Sequence, residues 1–432
     1  MLADKSNQSQ LQLREWLQRY CVKGLLSLLN VALFLIEGCT RLKIGQGKPT
    51  RILVLRTAAL GDFILSIPAM RRLRSAYPAA HITLLTTATT DRTTFRSVAQ
   101  YANERSPWLN FLPHKLIDDV IVSPFLSYGN VLNKESREIL CNRNYDICFI
   151  LNEGIGLSLS GTVKKIAFLR LLGVFCRIYG IRTRAYPKLF PKQQIGERRL
   201  EHHVLAIMRS VEENIYVAHC ASPKISFDLS IVDGDKCWAK NQLIELGCQP
   251  KNLIVIAPGS RLEFKRWRSD GYASIIASLL ANPFMSIILV GSGPEVESAG
   301  KIYAACMALD GADNRLHNLS GKTSLGQLAA LLSNAPVLLA NDGGTCHLAA
   351  AVGCRVVSIG NGAEIPNSVE PWGNQQYTVR IDVPCAPCYC FTHCIKFHAR
   401  CVNGISSALV LKQIQNALAD ASQSINANAQ SE

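Results

Sequence analysis

Residues 341–347, Asn-Asp-Gly-Gly-Thr-Cys-His, place several polar groups between two apolar runs. The run before them, 337–340, is typical of a buried strand, and the run after them, 348–352, is typical of a helix. Backbone N–H groups at a helix N-terminus bind anions, so Gly343, Gly344 and Thr345 predict a site for a phosphate group. His347 falls on the first turn of this helix, where an isolated histidine is more often structural than functional.

A second polar segment follows the apolar run 252–257. The turn Pro-Gly-Ser ends at Ser260, and Lys265, Arg266 and Arg268 place three cations within four residues. Cations beside a glycine turn suit a phosphate or a diphosphate leaving group. A solvated basic loop has the same composition, and the segment alone does not distinguish the two.

Asp62 follows the apolar run 51–56 and the turn at Gly61, at the predicted start of a helix. An aspartate at this position can cap free backbone N–H groups. A carboxylate at the mouth of a cleft can instead serve as a general base. Both interpretations require the same spacing.

The turn Gly-Ser-Gly-Pro-Glu at residues 291–295 lies between a predicted strand and a predicted helix. It lacks the full glycine pattern of dinucleotide-binding proteins. Glu295 either favours the helix dipole or accepts hydrogen bonds from a ribose or sugar hydroxyl.

Five of the sixteen cysteines cluster between residues 385 and 401. The spacing of Cys385, Cys388, Cys394 and Cys401 is similar to that of a structural zinc site, with disulfides or free thiols as the alternatives. The other cysteines are scattered singly, often within apolar runs, which is typical of buried thiols in a reducing compartment.

The elements that must position these groups alternate between short apolar strands and periodic helices. Predicted strands lie at 51–56, 81–86, 119–122, 145–150, 252–257, 286–291, 336–340 and 355–359, and predicted helices at 63–77, 197–211, 270–280, 294–309, 325–332 and 344–352. This alternation predicts parallel sheets covered by helices. The polar stretch at 222–247 separates two series, so we expect two Rossmann-like domains, 49–225 and 226–432, facing across a ligand-binding cleft.

Composition narrows the class of partner. Apolar residues make up 48% and charged residues 18%, which excludes a disordered chain, and the net charge of +14 favours anionic partners. Nucleic acid is disfavoured because no motif combines basic and aromatic residues.

In the extension 1–48, the apolar run 24–36 has basic flanks and is too short to span a bilayer. It either lies on an anionic membrane surface or packs on the protein itself.

Taken together, these segments resemble glycosyltransferase family 9, typified by ADP-heptose:lipopolysaccharide heptosyltransferases. The matching motifs, which stand in family order, are Arg56 with the Ala-Leu-Gly-Asp ending at Asp62, residues 68–78, Pro-Gly-Ser ending at Ser260, Lys-Arg-Trp at 265–267, and residues 291–295, 319–325 and 341–350. The resemblance covers residues 50 to 405.

The resemblance implies a GT-B fold and an inverting, metal-independent transfer of a sugar, such as heptose, from a nucleotide sugar. Asp62 would be the base, Lys265 the diphosphate partner and Glu295 a donor contact. The remaining donor-binding residues would be Ser260, Arg266, Asp342, Gly343, Gly344, Thr345 and His347. The expected acceptor is a lipid-linked glycan such as lipopolysaccharide core, at the cytoplasmic face of the inner membrane. No cofactor is required: the nucleotide sugar, such as ADP-heptose, is the substrate, and a structural zinc ion at the cysteine cluster is only one of the alternatives given above.

The chain departs from the family pattern at Gly343, where the family usually carries a threonine or serine. This missing hydroxyl leaves a catalytically silent sugar-nucleotide-binding protein as the alternative function. An NAD-dependent oxidoreductase is disfavoured, because neither half has the full glycine fingerprint.

Overall fold

The computed structural model describes most of the second half of the chain and parts of the first. The described residues are 48–56, 59–87, 109, 111–113, 115–123, 138, 140, 142–151, 169, 174, 176–180, 201–215, 225–293, 295–388, 390, 393–394 and 397–429. The predicted membrane-surface helix at 24–36 lies outside these residues.

The first domain is built on a five-stranded parallel sheet. Its strands are β1 (Arg51–Arg56), β2 (His81–Thr87), β3 (Asp119–Ser123), β4 (Ile147–Ile150) and β5 (Arg177–Tyr179). Their order across the sheet is β3-β2-β1-β4-β5. The central strand β1 is buried from Ile52 onward, as expected for a parallel sheet that is covered on both faces.

Two helices of this domain pack against each other. They are α1 (Leu60–Ala76) and α2 (His203–Glu212). The apolar residues of α1 recur at helical spacing, and Phe63, Ile67 and Met70 are fully buried. The N-terminus of α2 also bonds to the second domain. The backbone N–H of His203 donates to the carbonyl of Ser368 at 2.9 Å, and His202 Nε2 donates to the carbonyl of Glu370 at 2.8 Å.

The second domain contains another five-stranded parallel sheet. Its strands are β6 (Leu253–Ala257), β7 (Ser286–Leu289), β8 (Leu316–Asn318), β9 (Val337–Asn341) and β10 (Arg355–Ile359). Their order is β10-β9-β6-β7-β8. The strand order reverses between the neighbouring parallel strands β6 and β9, and ligands bind at such a switch point in open α/β sheets. The predicted α/β class with two Rossmann-like domains is therefore confirmed.

The helices of the second domain cover both faces of its sheet. In chain order they are α3 (Asp233–Glu245), α4 (Ser269–Leu280), α5 (Glu295–Cys306), α6 (Ala312–Arg315), α7 (Leu325–Ser333), α8 (Gly344–Ala351), α9 (Arg400–Asn403) and α10 (Ser407–Ala429). In the described part of the chain, no helix is both long enough and apolar enough to cross a membrane.

The polar stretch at 222–247, which was expected to link the two domains, contains the helix α3. Residues of α3 pack against α7, and Ala239 and Leu243 are buried there. Because only these two α3 side chains are buried, its sequence carries almost no apolar periodicity. The expectation of a linker across 233–245 is therefore wrong, whereas the predicted strands and helices of the second domain coincide with observed elements to within a few residues.

Candidate functional site

Asp62 is held at the carboxyl end of β1 by a buried arginine. Arg56, the last residue of β1, is fully buried and donates from Nη1 to the carbonyl of Leu151 at 2.6 Å. Its Nε and Nη2 both donate to the backbone carbonyl of Asp62, the former at 3.2 Å. The planar guanidinium therefore fixes the first turn of α1 against the loop that follows β4.

The cap of α1 is not Asp62. Ala59 is the N-cap residue, it makes no side-chain capping bond, and Asp62 is the third residue of the helix. A carboxylate in the first turn still interacts favourably with the helix dipole. Asp62 is therefore not the N-cap residue itself, and both interpretations, an aspartate that caps free N–H groups of the first turn and a base at the cleft, stay predictions.

Asn341, the last residue of β9, is hydrogen-bonded to the loop after β6 and to helix α4, at the switch point of the sheet. Its Oδ1 accepts hydrogen bonds of 3.0 Å from the backbone N–H of Trp267 and the hydroxyl of Tyr272. Its Nδ2 donates to the carbonyls of Pro258 and Gly259, at 2.6 and 3.1 Å. A buried amide whose hydrogen bonds are satisfied in this way fixes the relative positions of the loops it bridges. Sequence analysis treated Asn341 only as the first residue of a motif and missed this role.

The loop after β6 brings two predicted donor-binding residues together. Arg266 Nε donates to the backbone carbonyl of Ser260 at 2.8 Å. The guanidinium therefore stabilises the turn to which Ser260 belongs, and the cationic segment is folded back on the Pro-Gly-Ser turn. A fully solvated loop, the alternative interpretation, does not describe this arrangement.

Lys265 forms a shielded ion pair with Asp342. Lys265 Nζ lies 2.7 Å from Asp342 Oδ2, and the two side chains are only 12% and 14% exposed. Asn361 Nδ2 donates to the same oxygen at 2.8 Å. Burial alone would lower the pKa of the Lys265 ammonium, but the charges of Asp342 and Glu364 outweigh it and raise that pKa. Burial acts against ionisation of Asp342 too, yet the Lys265 ammonium keeps the pKa of this carboxyl below its ordinary value.

Glu364 is a member of this cluster that sequence analysis missed. Its Oε1 lies 3.9 Å from Lys265 Nζ, and its buried Oε2 has no hydrogen-bond partner. Burial, followed by the charge of Asp342, raises the pKa of Glu364 to about 8. The available signal was an acidic residue a few positions after the predicted strand 355–359, whose carboxyl end meets that of β9.

Glu295 lies against the turns that follow β6 and β7. A Cβ atom added to Gly259 would come within 2.4 Å of Glu295 Cβ, so glycine is required there for the close approach. Glu295 Oε2 accepts a hydrogen bond of 3.1 Å from the backbone N–H of Ser292. This places the predicted donor contact beside Ser260.

His347 lies at the contact between the two domains. A Cβ added to Gly61 would be 2.5 Å from His347 Cδ2, and one added to Gly344 would be 3.3 Å from the Gly61 nitrogen. The first turns of α1 and α8 therefore touch. Burial lowers the pKa of His347 to about 4, so the imidazole is neutral at physiological pH. Gly343 is the N-cap of α8, and Thr345 is half-buried in its first turn.

The cysteine segment packs against the loop that carries Asn361 and Glu364. The backbone N–H of Cys388 donates to the carbonyl of Gly362 at 2.8 Å, and a Cβ on Gly362 would meet Cys401 Sγ at 3.4 Å. Burial raises the pKa of the Cys401 thiol, and the nearby thiols Cys385, Cys388 and Cys394 raise it further. Cys385, Cys388 and Cys401 are free thiols.

A metal site at these cysteines is not supported. Within the described ranges, no group of three or more His, Cys, Asp and Glu side chains is arranged to hold a metal ion. The predicted zinc ligands Cys385, Cys388, Cys394 and Cys401 converge on one region, but their side chains are not placed as a coordination shell.

Comparison of the chain with known proteins gives a consistent result. The model of glycosyltransferase family 9 (heptosyltransferase) matches residues 137–396. The chain is 24% identical over 341 residues to lipopolysaccharide heptosyltransferase 2 of Escherichia coli K12, covering 77% of this chain and 88% of that protein.

Solved structures share the same architecture. A family 9 glycosyl transferase from Veillonella parvula superposes with a TM-score of 0.60 at 19% identity, over 86% of this chain and 97% of that one. The ADP-heptose lps heptosyltransferase II of E. coli gives a TM-score of 0.56 at 19% identity, over 86% and 99%. These similarities support the two-domain GT-B fold.

Proposed function

Because this chain belongs to glycosyltransferase family 9, and so is a glycosyltransferase, we propose that it transfers heptose from ADP-heptose to a lipopolysaccharide core acceptor, with inversion and without a metal ion. The name of the E. coli relative supports both the sugar and the acceptor. The observation that carries the proposal is the arrangement of charged groups across the cleft. Asp62 lies in the first turn of α1 in the first domain, and the ion pair of Lys265 and Asp342 lies in the second domain.

Asp62 is the proposed base. It stands at the N-terminus of α1, and its charge acts on Glu364, a residue of the second domain. Arg56 donates hydrogen bonds to the backbone carbonyl of Asp62 and so fixes its position. A carboxylate fixed at the mouth of the cleft can accept the proton of an acceptor hydroxyl.

The proposed leaving group lies on the opposite side, where Lys265, Arg266 and the N-terminus of α8 gather. Two cations and oriented backbone N–H groups can stabilise the negative charge that develops on a departing diphosphate. These groups would neutralise the charge of the departing diphosphate, as a divalent cation does in other transferases. Metal independence is therefore part of the proposal.

In the proposed step, the acceptor oxygen forms a bond to the anomeric carbon of the sugar while its proton passes to Asp62. The bond between the anomeric carbon and the diphosphate oxygen breaks, and ADP leaves with the electron pair. Because attack and departure occur on opposite faces of the sugar, the configuration at the anomeric carbon inverts.

We propose that residues 1–48 hold the enzyme on the cytoplasmic face of the inner membrane. Their apolar run and basic flanks support this location. A lipid-linked acceptor would then be presented close to the cleft.

The experiment that tests the function compares Asp62→Asn with Asp270→Asn. Both aspartates lie in the first turn of a helix, so both changes remove a dipole interaction. The side chain of Asp270 is exposed and pairs with Arg268, not with the buried cluster of Lys265 and Asp342. We expect Asp62→Asn to lose transfer by at least about 100-fold while it still binds ADP, as is usual for loss of a general base. Asp270→Asn should retain transfer.

Two outcomes oppose the proposal. Wild-type turnover in the Asp62→Asn variant would remove Asp62 from catalysis. A wild-type protein that binds ADP-heptose, but transfers heptose to no lipopolysaccharide core acceptor, would favour the silent sugar-nucleotide-binding alternative.

A further inference from the structure

Two carboxyl groups of the second domain compete for one ammonium. Lys265 Nζ is 2.7 Å from Asp342 Oδ2 and 3.9 Å from Glu364 Oε1, so Asp342 takes the direct hydrogen bond and Glu364 is left at a longer distance. The side chains of all three are at most 15% exposed. Asn361 adds its hydrogen bond to Asp342 and not to Glu364.

The other charged groups that face Glu364 do not supply a partner either. Arg380 Nη2 pairs with Glu370 Oε1 at 2.7 Å, and its Nη1 donates to the carbonyl of Asn361. Asp62, from α1 in the first domain, adds a further negative charge. Glu364 Oε2 is buried and accepts no hydrogen bond from any residue in the described part of the chain.

A buried carboxylate without a hydrogen-bonding partner is strongly disfavoured and takes up a proton instead. When two carboxyl groups share one cation, the better-paired group stays ionised and the other becomes neutral. In this cluster, Asp342 is the ionised member and Glu364 is the neutral one.

We infer that Glu364 is a positioning residue that stays protonated when the nucleotide sugar binds, and that its neutrality lets an anionic diphosphate bind to Lys265 beside Asp342. The inference rests on the proposed function. An ionised Glu364 would add a third carboxylate to Asp62 and Asp342 and would draw Lys265 away from the diphosphate. When Glu364 is neutral, the positive charge of Lys265 can still attract the diphosphate.

The electrostatics of the cluster agree with this arrangement. Burial and the charges of Asp342 and Asp62 raise the pKa of Glu364 to about 8, against the lowering effect of Lys265 and Arg380. The carboxyl is therefore neutral at physiological pH, and it ionises in mildly alkaline solution.

The test measures the affinity of ADP between pH 7 and 9.5 by calorimetry, for the wild-type protein, Glu364→Gln and Glu297→Gln. Glutamine keeps the size of the side chain and cannot ionise, and Glu297 is an exposed glutamate on α5 that serves as the matched control. Above about pH 8, the affinity of the wild type and of the control should fall by up to about tenfold per pH unit. The Glu364→Gln variant should keep its neutral-pH affinity across the range.

A second measurement uses the wild type alone and does not depend on folding of the variant. ADP binding near pH 8.5, in two buffers with different heats of ionisation, should show net uptake of up to one proton. The phosphates of ADP are already ionised there, because their last pKa lies near 6.

Three outcomes would overturn the inference. They are an equal loss of affinity in wild type and Glu364→Gln, a wild-type affinity that does not change with pH, or absence of proton uptake. Tight but pH-independent binding of ADP would defeat this inference alone. Absence of ADP binding to the wild type at pH 7 would defeat the proposed donor as well.

Discussion

The backbone of Gly61 lies against the imidazole of His347, so closely that a methyl group on Gly61 would stand 2.5 Å from ring atom Cδ2. The two residues belong to different domains, and each lies in the first turns of a helix that borders the cleft. The absence of a side chain at Gly61 therefore sets how closely the carboxylate of Asp62 can approach the donor side.

Gly61→Ala should destabilise this contact. The added methyl group must displace the ring or the helix, and overpacking of this kind costs about 1–3 kcal/mol of unfolding free energy. We expect a lower melting temperature and reduced turnover. The control is a double-mutant cycle with His347→Ala, which removes the atoms that the methyl group meets. If Gly61→Ala is equally destabilising in the His347→Ala background, the contact is not the cause.

Gly343 and Gly344, in the proposed donor-binding segment 341–347, should differ in how replacement by serine changes the stability of the protein. A Cβ on Gly343 would meet only the carbonyl oxygen of Asn341 at 3.8 Å, whereas one on Gly344 would lie 3.3 Å from the Gly61 nitrogen and from Leu60 Cβ. Gly343 is also an N-cap in an extended conformation. Gly343→Ser should therefore be tolerated and should gain a few tenths of a kcal/mol through capping, roughly the difference between glycine and serine at this position.

Gly344→Ser should lower the melting temperature and weaken the contact between the domains. Thermal unfolding of both variants in parallel checks the prediction. Equal melting temperatures for the two variants would contradict it.

The stability of the protein should fall as the pH rises from 6.5 to 8. The pKa of Glu364 is about 8 in the folded protein, against an ordinary value of 4.5. The folded state thus holds a proton that the unfolded chain releases, and this stabilisation is complete below about pH 4.5 and lost through pH 8. The slope contributed by one group is at most about 1.4 kcal/mol per pH unit.

Glu364→Gln should show a smaller decrease than wild type over this pH range, as measured by urea unfolding. The pKa of His347 is about 4 when folded and ordinarily 6.5, so its opposing effect is confined to lower pH. Glu297→Gln should keep the wild-type slope. Parallel curves for wild type and Glu364→Gln would contradict the prediction.

Deletion of residues 1–48 should abolish binding to vesicles that contain anionic lipid and leave the melting temperature unchanged. The apolar run 24–36 is flanked by six cations, Arg14, Arg19, Lys23, Arg41, Lys43 and Lys48. Each basic residue near an anionic surface contributes about 1 kcal/mol of attraction. Co-sedimentation with vesicles and a melting curve check the two parts. Equal vesicle binding by both proteins would contradict the membrane role, and a destabilised truncation would indicate packing on the core.

Eight of the ten described strands could be predicted because they are short apolar runs, buried on both faces in β1 and β6. The edge strands β5 and β8 were not predicted, because each has only three residues. The helix α3 could not be predicted either, because it buries only Ala239 and Leu243. Its remaining positions follow no apolar period that distinguishes a packed helix from a linker.

The motif residues of the site could be located from sequence, but the groups that hold them together could not. Glu364 belongs to no motif, and it reaches Lys265 only because β9 and β10 pair in register, with Asn341 opposite Ile359. The hydrogen bonds of Asn341 to Trp267 and Tyr272 likewise depend on tertiary contacts. No local pattern specifies them.

Helix α2 is attached to both domains, by its packing on α1 and by the hydrogen bonds of His202 and His203 to the loop at residues 360–374. Rotation of one domain away from the other must either break these bonds or carry the loop with the first domain. Glu364 lies in the same loop, so in the second case its distance from Lys265 changes as the cleft opens. In that second case, domain rotation would change the protonation of Glu364 together with the width of the cleft, and α2 would be the element that links the two.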